Sequence, residues 1–263
     1  MYIKETHSTS SLLREQYADT LPHRFTIRTD YQTAGRGQAG NGWESERGMN
    51  LLFSTLLRYA NIDASEQWRI SMLVAVAIRE AIVGVMKVRD ERSEVKIKWP
   101  NDIYYGDKKL VGILIENTLS GANIAYTIAG VGVNVNQMKW LSDAPNPVSM
   151  KQITGEEYDV EEILELIMQA LVKWEGESTE VIREEYVKHL YRREGWYRYV
   201  EREVSVAPTN IVQSKKLNVE SQEEDAGIFY AEWVDITPQG EWVVRLRNGE
   251  ERKYHFKQVR FVV

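Results

Sequence analysis

The sequence contains no cysteine among its 263 residues. This absence excludes a disulfide framework, a thiolate metal site and a cysteine nucleophile, and therefore any reaction that passes through an enzyme thioester. Long hydrophobic runs are missing too, since no apolar stretch approaches the roughly 18 residues of a membrane span. The N-terminal residues are polar and include Lys4, Glu5 and Arg14. They do not resemble a signal peptide, so we expect a cytoplasmic protein without a membrane partner.

Basic residues are too few for a typical nucleic-acid-binding protein. Lysine and arginine total 33 against 39 aspartate and glutamate, a formal net charge of −6. Proteins that bind nucleic acid are usually basic, so we predict no nucleic-acid partner. A small basic patch can still hold one anionic ligand. The length fits one large domain, with or without a small companion.

Apolar periodicity predicts a large domain over residues 1–195 and a small all-β domain over residues 196–263. Helical spacing predicts helices at Ser8–Tyr17, Ala64–Met86 and Asp159–Tyr191, the last broken near Gly176. Strands are predicted at Phe25–Thr29, Met49–Leu57, Val95–Trp99, Lys109–Asn117 and Ala122–Val135, and in the small domain at Phe229–Ile236, Glu241–Arg247 and Arg252–Phe256. The Asn248-Gly249 pair is typical of a hairpin turn. The polar segment 214–225 is predicted to be a loop or an insertion.

A glycine-rich loop runs from Gly35 to Gly40 and satisfies the pattern G-x-G-x-x-G. Dinucleotide-binding folds and kinases share this pattern, but an apolar strand rather than a helix follows here, and the kinase signatures are missing. Arg36 inside the loop favours an anion site, because a guanidinium can donate two hydrogen bonds to a phosphate or carboxylate. A plain hairpin turn is the alternative interpretation.

Further polar side chains are predicted at strand ends. Pro100 forces an extended or turn geometry on the residue before it, so Asn101 and Asp102 can project into a cleft. Ordinary turn chemistry is the alternative for this pair. Lys109 opens an apolar strand, either facing a site or as an exposed edge lysine. Two glycines within 130–136 indicate a bulge or the close approach of a ligand or another backbone.

Taken in order, these stretches resemble the biotin protein ligase family, also called the biotin–acetyl-CoA-carboxylase ligases. The resemblance is carried by Glu5–Thr9, Gln32–Gly37 with Gly40 and Trp43, Lys98–Asp102, Lys109–Leu114 and Gly132–Asn134. It implies an α/β (α+β) catalytic domain of the class II synthetase-like, biotin/lipoate ligase type, a mixed sheet packed by helices, followed by a small SH3-like β-barrel. It also implies an enzyme that joins biotin to ATP as biotinyl-5′-AMP and then transfers biotin to a lysine of a biotin carboxyl carrier protein or domain.

The resemblance also assigns site residues by position. The residues implied to bind biotin are Ser8, Thr9, Ser10, Gln32, Gly35, Arg36, Gly37, Gln38, Trp43, Lys109 and Gly112. The residues implied to bind ATP are Arg36, Gly40, Asn41, Trp43, Asn101, Lys109 and Asn134. Catalytic roles fall to Lys109 and Arg36, which with Mg²⁺ would offset the repulsion between the two reacting anions. Asp102 is the candidate that orients or deprotonates the acceptor lysine. We predict no metal held by protein side chains.

Three departures from the family pattern have consequences. Gln38 and Asn41 stand where the family often has arginine, and Ser10 stands where an asparagine often follows Ser-Thr. Two fewer positive charges predict a faster loss of biotinyl-AMP than in relatives with the full arginine set. The Ser8-Thr9 motif begins close to residue 1, so we expect the form that lacks an N-terminal DNA-binding domain.

Two alternative functions stay open at this point. One is lipoate ligation within the same superfamily, and the other is a non-catalytic protein that binds biotin or its adenylate. Octanoyl transfer through a cysteine thioester is excluded by composition. The oligomeric state is also open, with a homodimer as one option. Lys257 either reaches the nucleotide or is a plain surface lysine.

Overall fold

A computed structural model describes residues 1–16, 20–38, 41–60, 62–87, 94–142, 146–202 and 227–262. Gly40 and the predicted loop or insertion at 214–225 lie outside the described residues. The chain divides into two compact units, Met1–Tyr191 and Arg192–Val263. Within the described residues, no helix is long and apolar enough to cross a membrane.

The first unit is a mixed sheet packed by helices. Its strands are β1 (Tyr2–Thr6), β2 (Phe25–Gln32), β3 (Leu51–Leu57), β4 (Val95–Lys98), β5 (Asp102–Tyr105), β6 (Lys108–Ser120) and β7 (Asn123–Val133), and its helices are α1 (Thr9–Gln16), α2 (Gln67–Met86), α3 (Met150–Thr154), α4 (Val160–Glu175) and α5 (Thr179–Lys188). The sheet has the order β1-β2-β3-β7-β6-β5-β4. The β1–β2 pair is parallel and all other neighbours are antiparallel. The predicted mixed α/β architecture is confirmed.

The parallel pair explains the position of α1. Parallel neighbours need a crossover connection, and α1 lies in the crossover between β1 and β2. Its buried Leu12 and Leu13 join a core cluster with Ile27 of β2 and Leu56 of β3. The N-terminus of α1 therefore lies next to the end of β2, where Thr6 pairs with Gln32.

The longer helices α2, α4 and α5 follow the predicted pattern. In α2, fourteen residues are buried, and the helix packs against α4 and α5. The break predicted near Gly176 is confirmed, since Gly176 ends α4 and Ser178 caps α5. Strand β3 is buried along its whole length and contacts both α1 and α4, which fixes the centre of the core.

The second unit is a five-stranded antiparallel sheet, consistent with the SH3-like domain implied by the resemblance. Its strands are β8 (Trp196–Glu201), β9 (Ile228–Ile236), β10 (Trp242–Leu246), β11 (Glu251–Tyr254) and β12 (Val259–Phe261), in the order β11-β10-β9-β8-β12. Stacked and edge-on rings of Tyr199, Phe229, Tyr254 and Phe261 fill its core. The predicted Asn248-Gly249 turn is present, with Gly249 at φ +87°.

Candidate active site

A buried cluster of hydroxyl and amide groups lies where α1 begins. The side-chain amide oxygen of Gln32 accepts hydrogen bonds from the backbone N–H of Thr9 at 2.8 Å and from its hydroxyl at 3.2 Å. The Thr9 hydroxyl also lies 2.7 Å from that of Ser54, and the hydroxyls of Ser8 and Ser10 lie 3.1 Å apart. The serines and the threonine are all at most 4% exposed. This cluster offers donors and acceptors to an uncharged polar ring.

Sequence reasoning missed one member of this cluster, Ser54. It lies in the middle of β3, inside the apolar run Leu51–Leu57, where a single serine carries no distinctive pattern. Its position follows from pairing, because Ser54 is opposite Gly130 of β7. A Cβ atom at Gly130 would lie 3.5 Å from both the Ser10 Cβ and the Ser54 Oγ, so Gly130 forms a wall of the cluster.

The glycine loop is a hairpin that folds onto itself. The N–H of Gly37 donates to the carbonyl of Asn41 at 2.7 Å, and the N–H of Trp43 donates to the carbonyl of Gly35 at 3.0 Å. The hairpin-turn interpretation therefore describes its geometry, and that geometry leaves the anion-binding interpretation open. The Asn41 side chain is exposed.

Two side chains of this loop reach the central sheet. The Gln38 amide donates to the Asn101 side chain at 3.2 Å and to the backbone carbonyl of Ile113 at 3.3 Å. Arg36 donates to the Ser11 hydroxyl at 3.0 Å and forms an ion pair with Glu116 at 2.8 Å. These bonds tie the loop to α1, to the turn before β5 and to β6.

The indole of Trp43 lies against two paired glycines. Gly112 of β6 and Gly132 of β7 are direct partners in the sheet. A Cβ at Gly112 would lie 2.5 Å from the indole, and a Cβ at Gly132 only 2.4 Å, distances that real atoms do not reach. Both glycines are therefore required where the ring covers the backbone. The Lys109 ammonium lies 5.7 Å from the ring centre, within cation–π range.

Asp102 and Lys109 form an ion pair beside this indole. The Lys109 ammonium donates to one Asp102 oxygen at 2.7 Å, and the N–H of Ile113 donates to the other at 3.2 Å. Asp102 begins β5, so the two residues sit on neighbouring antiparallel strands. Both carboxylate oxygens are thus engaged, and the lysine is held in a defined place.

Tyr186 of α5 fixes the turn that precedes Asp102. Its hydroxyl donates to the carbonyl of Pro100 at 2.8 Å, and the side chain is fully buried. Burial, and then the nearby charge of Asp102, raise the pKa of Tyr186 well above its ordinary value. The phenol therefore stays neutral and keeps donating this bond. Asn101, in the same turn, is 2% exposed.

Asn134 completes the group of polar residues at the end of β7. Its side-chain amide donates to the backbone carbonyl of Lys109 at 3.3 Å. Among the described residues, neither its side-chain oxygen nor the Trp43 indole N–H has a hydrogen-bond partner, although both atoms are buried.

The loop at residues 141–142 is held by Glu44, the neighbour of Trp43. Its two carboxylate oxygens accept hydrogen bonds from the N–H groups of Leu141 at 2.7 Å and Ser142 at 2.8 Å. Partial burial alone would raise the pKa of Glu44. The hydrogen bonds from Ser142 and Leu141 outweigh this effect and lower the pKa below its ordinary value.

The two halves of the site lie on one face of β7. Gly130 adjoins the hydroxyl cluster and Gly132 adjoins the indole. Residues two apart on a strand point to the same face and are separated by about 6.6 Å. Within the part of the chain that the structure describes, no group of three or more histidine, aspartate or glutamate side chains could hold a metal ion. The arrangement suits an elongated ligand with a neutral ring at one end and an anionic, aromatic group at the other.

A sequence profile of the biotin/lipoate A/B protein ligase family matches residues 2–134. The match spans just over half of the 263 residues, and the chain belongs to this family. It is similar to the bifunctional ligase/repressor BirA of Bacillus spizizenii, with 31% identity over 166 residues that cover 61% of this chain and 49% of that protein. It is also similar to the biotin–[acetyl-CoA-carboxylase] ligase of Paracoccus denitrificans, with 31% identity over 156 residues, 56% of this chain and 60% of that one.

The first of these relatives is longer than the region of similarity, since the chain spans 49% of its length. Among solved structures, the chain resembles the biotin protein ligase from Aquifex aeolicus in complex with biotin and ATP. The TM-score is 0.70 at 22% identity, and the match covers 100% of this chain and 98% of that one. The likeness establishes a shared fold over both units.

Proposed function

We propose that this chain is a biotin protein ligase, which activates biotin with ATP and transfers the biotinyl group to a lysine of a biotin carboxyl carrier protein or domain. The observation that carries the proposal is the pair of sites on one face of β7. A buried hydroxyl cluster and a site with Lys109 and Trp43 lie two residues apart, at Gly130 and Gly132. Activity named for the relatives in this family supports the same conclusion.

The hydroxyl cluster suits the ring end of biotin. A cyclic urea presents two N–H donors and one carbonyl acceptor, and each must be paired when the ring is buried. Serine and threonine hydroxyls can donate or accept, so Ser8, Thr9 and Ser10 can adapt to either need. The Gln32 oxygen already orients Thr9 through two hydrogen bonds. We assign Ser54 to this subsite as well.

The first half-reaction joins two anions. A carboxylate oxygen of biotin attacks the α-phosphorus of ATP, a new O–P bond forms, and pyrophosphate leaves. The protein must hold the reactants in line and offset their repulsion. Lys109 supplies a fixed positive charge, and Arg36 on the glycine loop supplies a second. By the family resemblance, the residues assigned to the nucleotide are Trp43, Asn134, Asn101, Gly40 and Asn41.

Asp102 acts in two ways within this proposal. Its ion pair holds the Lys109 ammonium in place. In the second half-reaction the acceptor lysine must lose its proton before it attacks the mixed anhydride, and Asp102 orients or deprotonates it. AMP then leaves with the bonding electrons of the broken C–O bond.

The remaining elements of the proposal concern the metal and the setting. Mg²⁺ commonly binds phosphates together with one or two carboxylates rather than a complete protein cage. Because no cluster of acids among the described residues forms such a cage, Mg²⁺ would enter with the triphosphate. A cytoplasmic location belongs to the same proposal.

The test is biotin-dependent exchange of pyrophosphate into ATP, run in parallel with lipoate. We expect exchange with biotin only; exchange with lipoate instead would favour the lipoate ligase alternative, and no exchange with either would refute the ligase proposal. Lys109→Gln should lower exchange by roughly 100-fold or more, as loss of one preorganised charge does. The control Lys108→Gln alters the exposed neighbour on β6 and should leave exchange unchanged.

Asp102→Asn separates the two half-reactions. We expect slower transfer from preformed biotinyl-AMP to a carrier domain, measured in single turnover, and a smaller effect on exchange because the amide oxygen can still accept a hydrogen bond from the Lys109 ammonium. Normal transfer in this variant would rule out the role of Asp102 with the acceptor lysine.

A further inference from the structure

One carboxylate in the first unit serves two arginines. Glu116 on β6 lies 2.8 Å from the Arg36 guanidinium and 2.7 Å from that of Arg14. The Glu116 side chain is 19% exposed, whereas the arginines are 37% and 39% exposed. Among the described residues, no other acid pairs with either arginine. The trio therefore carries one net positive charge.

The two arginines belong to different elements with different functions. Arg36 sits in the glycine loop and is assigned above to the reacting anions. Arg14 lies in the last turn of α1, where a cation also stabilises the helix end. Arg36 has a second, neutral contact with Ser11 at 3.0 Å. Its guanidinium is thus already paired before any ligand arrives.

This pairing has an energetic consequence. If Arg36 turned from Glu116 to a phosphate, a largely buried carboxylate would lose one partner. An uncompensated buried charge is unfavourable, so the transfer would be opposed unless another cation stayed. Arg14 is already in contact with the second oxygen of Glu116, so it can balance that charge alone.

We propose that Glu116 and Arg14 are positioning residues for Arg36: Glu116 holds the guanidinium near α1, and Arg14 releases it to the adenylate by keeping Glu116 neutralised. The inference rests on the proposed ligase function and adds two residues that act only through Arg36. It differs from a fixed structural role, in which Arg36 stays on Glu116 when ligand binds.

The test is a double-mutant cycle on ligand affinity. Binding of AMP, and of a non-hydrolysable biotinyl-adenylate analogue, is measured by calorimetry for the unchanged chain, Arg14→Gln, Glu116→Gln and the double variant. We expect Arg14→Gln to weaken binding about fivefold, the scale of one partly exposed ion pair. In the Glu116→Gln background the Arg14 change should have no effect, because there is no carboxylate left to balance.

Two controls separate charge from packing. Arg14→Lys keeps the charge and should bind within about twofold of the unchanged chain. Arg69→Gln removes an arginine that bonds Thr179 and the Glu177 carbonyl, and should not change affinity. Urea unfolding of each variant identifies any that lose their fold; if Glu116→Gln does, the Arg14→Gln and Arg14→Lys pair still decides the question.

Several outcomes would overturn the inference. They are unchanged affinity in Arg14→Gln, an equal loss in both Glu116 backgrounds, or a loss in Arg14→Lys as large as that in Arg14→Gln. Pyrophosphate exchange by the unchanged chain tests the ligase function separately. A chain without exchange would refute that function, while the order of AMP affinities would still support or overturn the transfer of Arg36.

Discussion

Replacing Gly132 by alanine should displace the Trp43 indole from the sheet. The new Cβ would lie 2.4 Å from Cε2, 2.6 Å from Nε1 and 2.7 Å from Cζ2 of the ring. The indole is rigid, and its backbone is fixed by the Trp43 N–H bond to the Gly35 carbonyl. The clash can therefore be relieved only by rotation of the ring or by movement of the strands.

The expected loss of stability follows from two opposing terms. Overpacking of this kind destabilises by about 1–3 kcal/mol. Replacing a glycine inside a strand returns about 0.5–1 kcal/mol by reducing the entropy of the unfolded chain. The net loss in the free energy of unfolding is therefore about 0–2.5 kcal/mol, with a midpoint of about 1 kcal/mol. Gly130→Ala is the matched control on the same strand face, because its Cβ would meet no atom closer than 3.5 Å.

Urea unfolding measures these changes directly, and calorimetric titration with ATP shows whether the moved indole also weakens nucleotide binding. The decisive variant combines Trp43→Ala with Gly132→Ala. Without the ring, alanine at 132 should be neutral or stabilising. If the penalty measured for Gly132→Ala alone persists unchanged in the Trp43→Ala background, the clash is not its cause and the reasoning is wrong.

Three further predictions concern Gln38 in the glycine loop, Glu44 beside Trp43, and Tyr186 at the turn before β5. Gln38→Arg introduces a charge that the family often has at this position, and should slow the release of biotinyl-AMP about fivefold, since charged hydrogen bonds exceed neutral ones by about 1 kcal/mol. The release rate is measured by single-turnover trapping, and a rate that is no slower than that of the unchanged chain would contradict this prediction. Because the folded-state pKa of Glu44 is lowered, its bonds to two loop amides are complete above the ordinary value of 4.5 and are lost as pH falls through the folded value. The protection factors of those two amides, which are exchange rates corrected for the intrinsic effect of pH, should fall as Glu44 is protonated, and Glu44→Gln should abolish this fall; protection factors that do not change with pH in the unchanged chain would refute the prediction. Tyr186→Phe leaves the Pro100 carbonyl without its buried donor and should lower the free energy of unfolding by about 1–3 kcal/mol in urea, whereas no change would mean that the carbonyl finds another partner.

Much of the fold follows from hydrophobic periodicity. The apolar run that forms β3 and the long helical pattern of α2 are strong signals, and both were predicted close to their observed bounds. Strand β1 was missed because its five residues are mostly polar and lie at the sheet edge. Strands β8 and β12 and the five-residue helix α3 were missed because such short segments show no clear period.

The site was predictable only where local chemistry marks it. A glycine run pointed to Arg36, a polar pair after proline pointed to Asp102, and a lysine at the start of an apolar strand pointed to Lys109. Ser54 and Glu116 could not be found this way, because their roles depend on residues that are far away in the chain. The contact between Trp43 and the sheet could not be predicted for the same reason. A glycine in a strand indicates that another group approaches the backbone closely, but the sequence does not show that Gly112 and Gly132 are paired between β6 and β7 and lie under the indole.

The shared face of β7 has a kinetic consequence for the intermediate. In the proposed ligase, the hydroxyl cluster and the nucleotide side each bind one part of biotinyl-AMP, and before reaction these parts are separate ligands that leave independently. Once they are joined, an end that dissociates stays covalently linked to the end that is still bound, so its effective concentration beside its own subsite is high. The product of the first half-reaction is then held more tightly than either substrate. In that proposal the reactive anhydride stays bound until a carrier lysine arrives because both of its ends are held, and we expect each charge missing from the glycine loop to shorten that time.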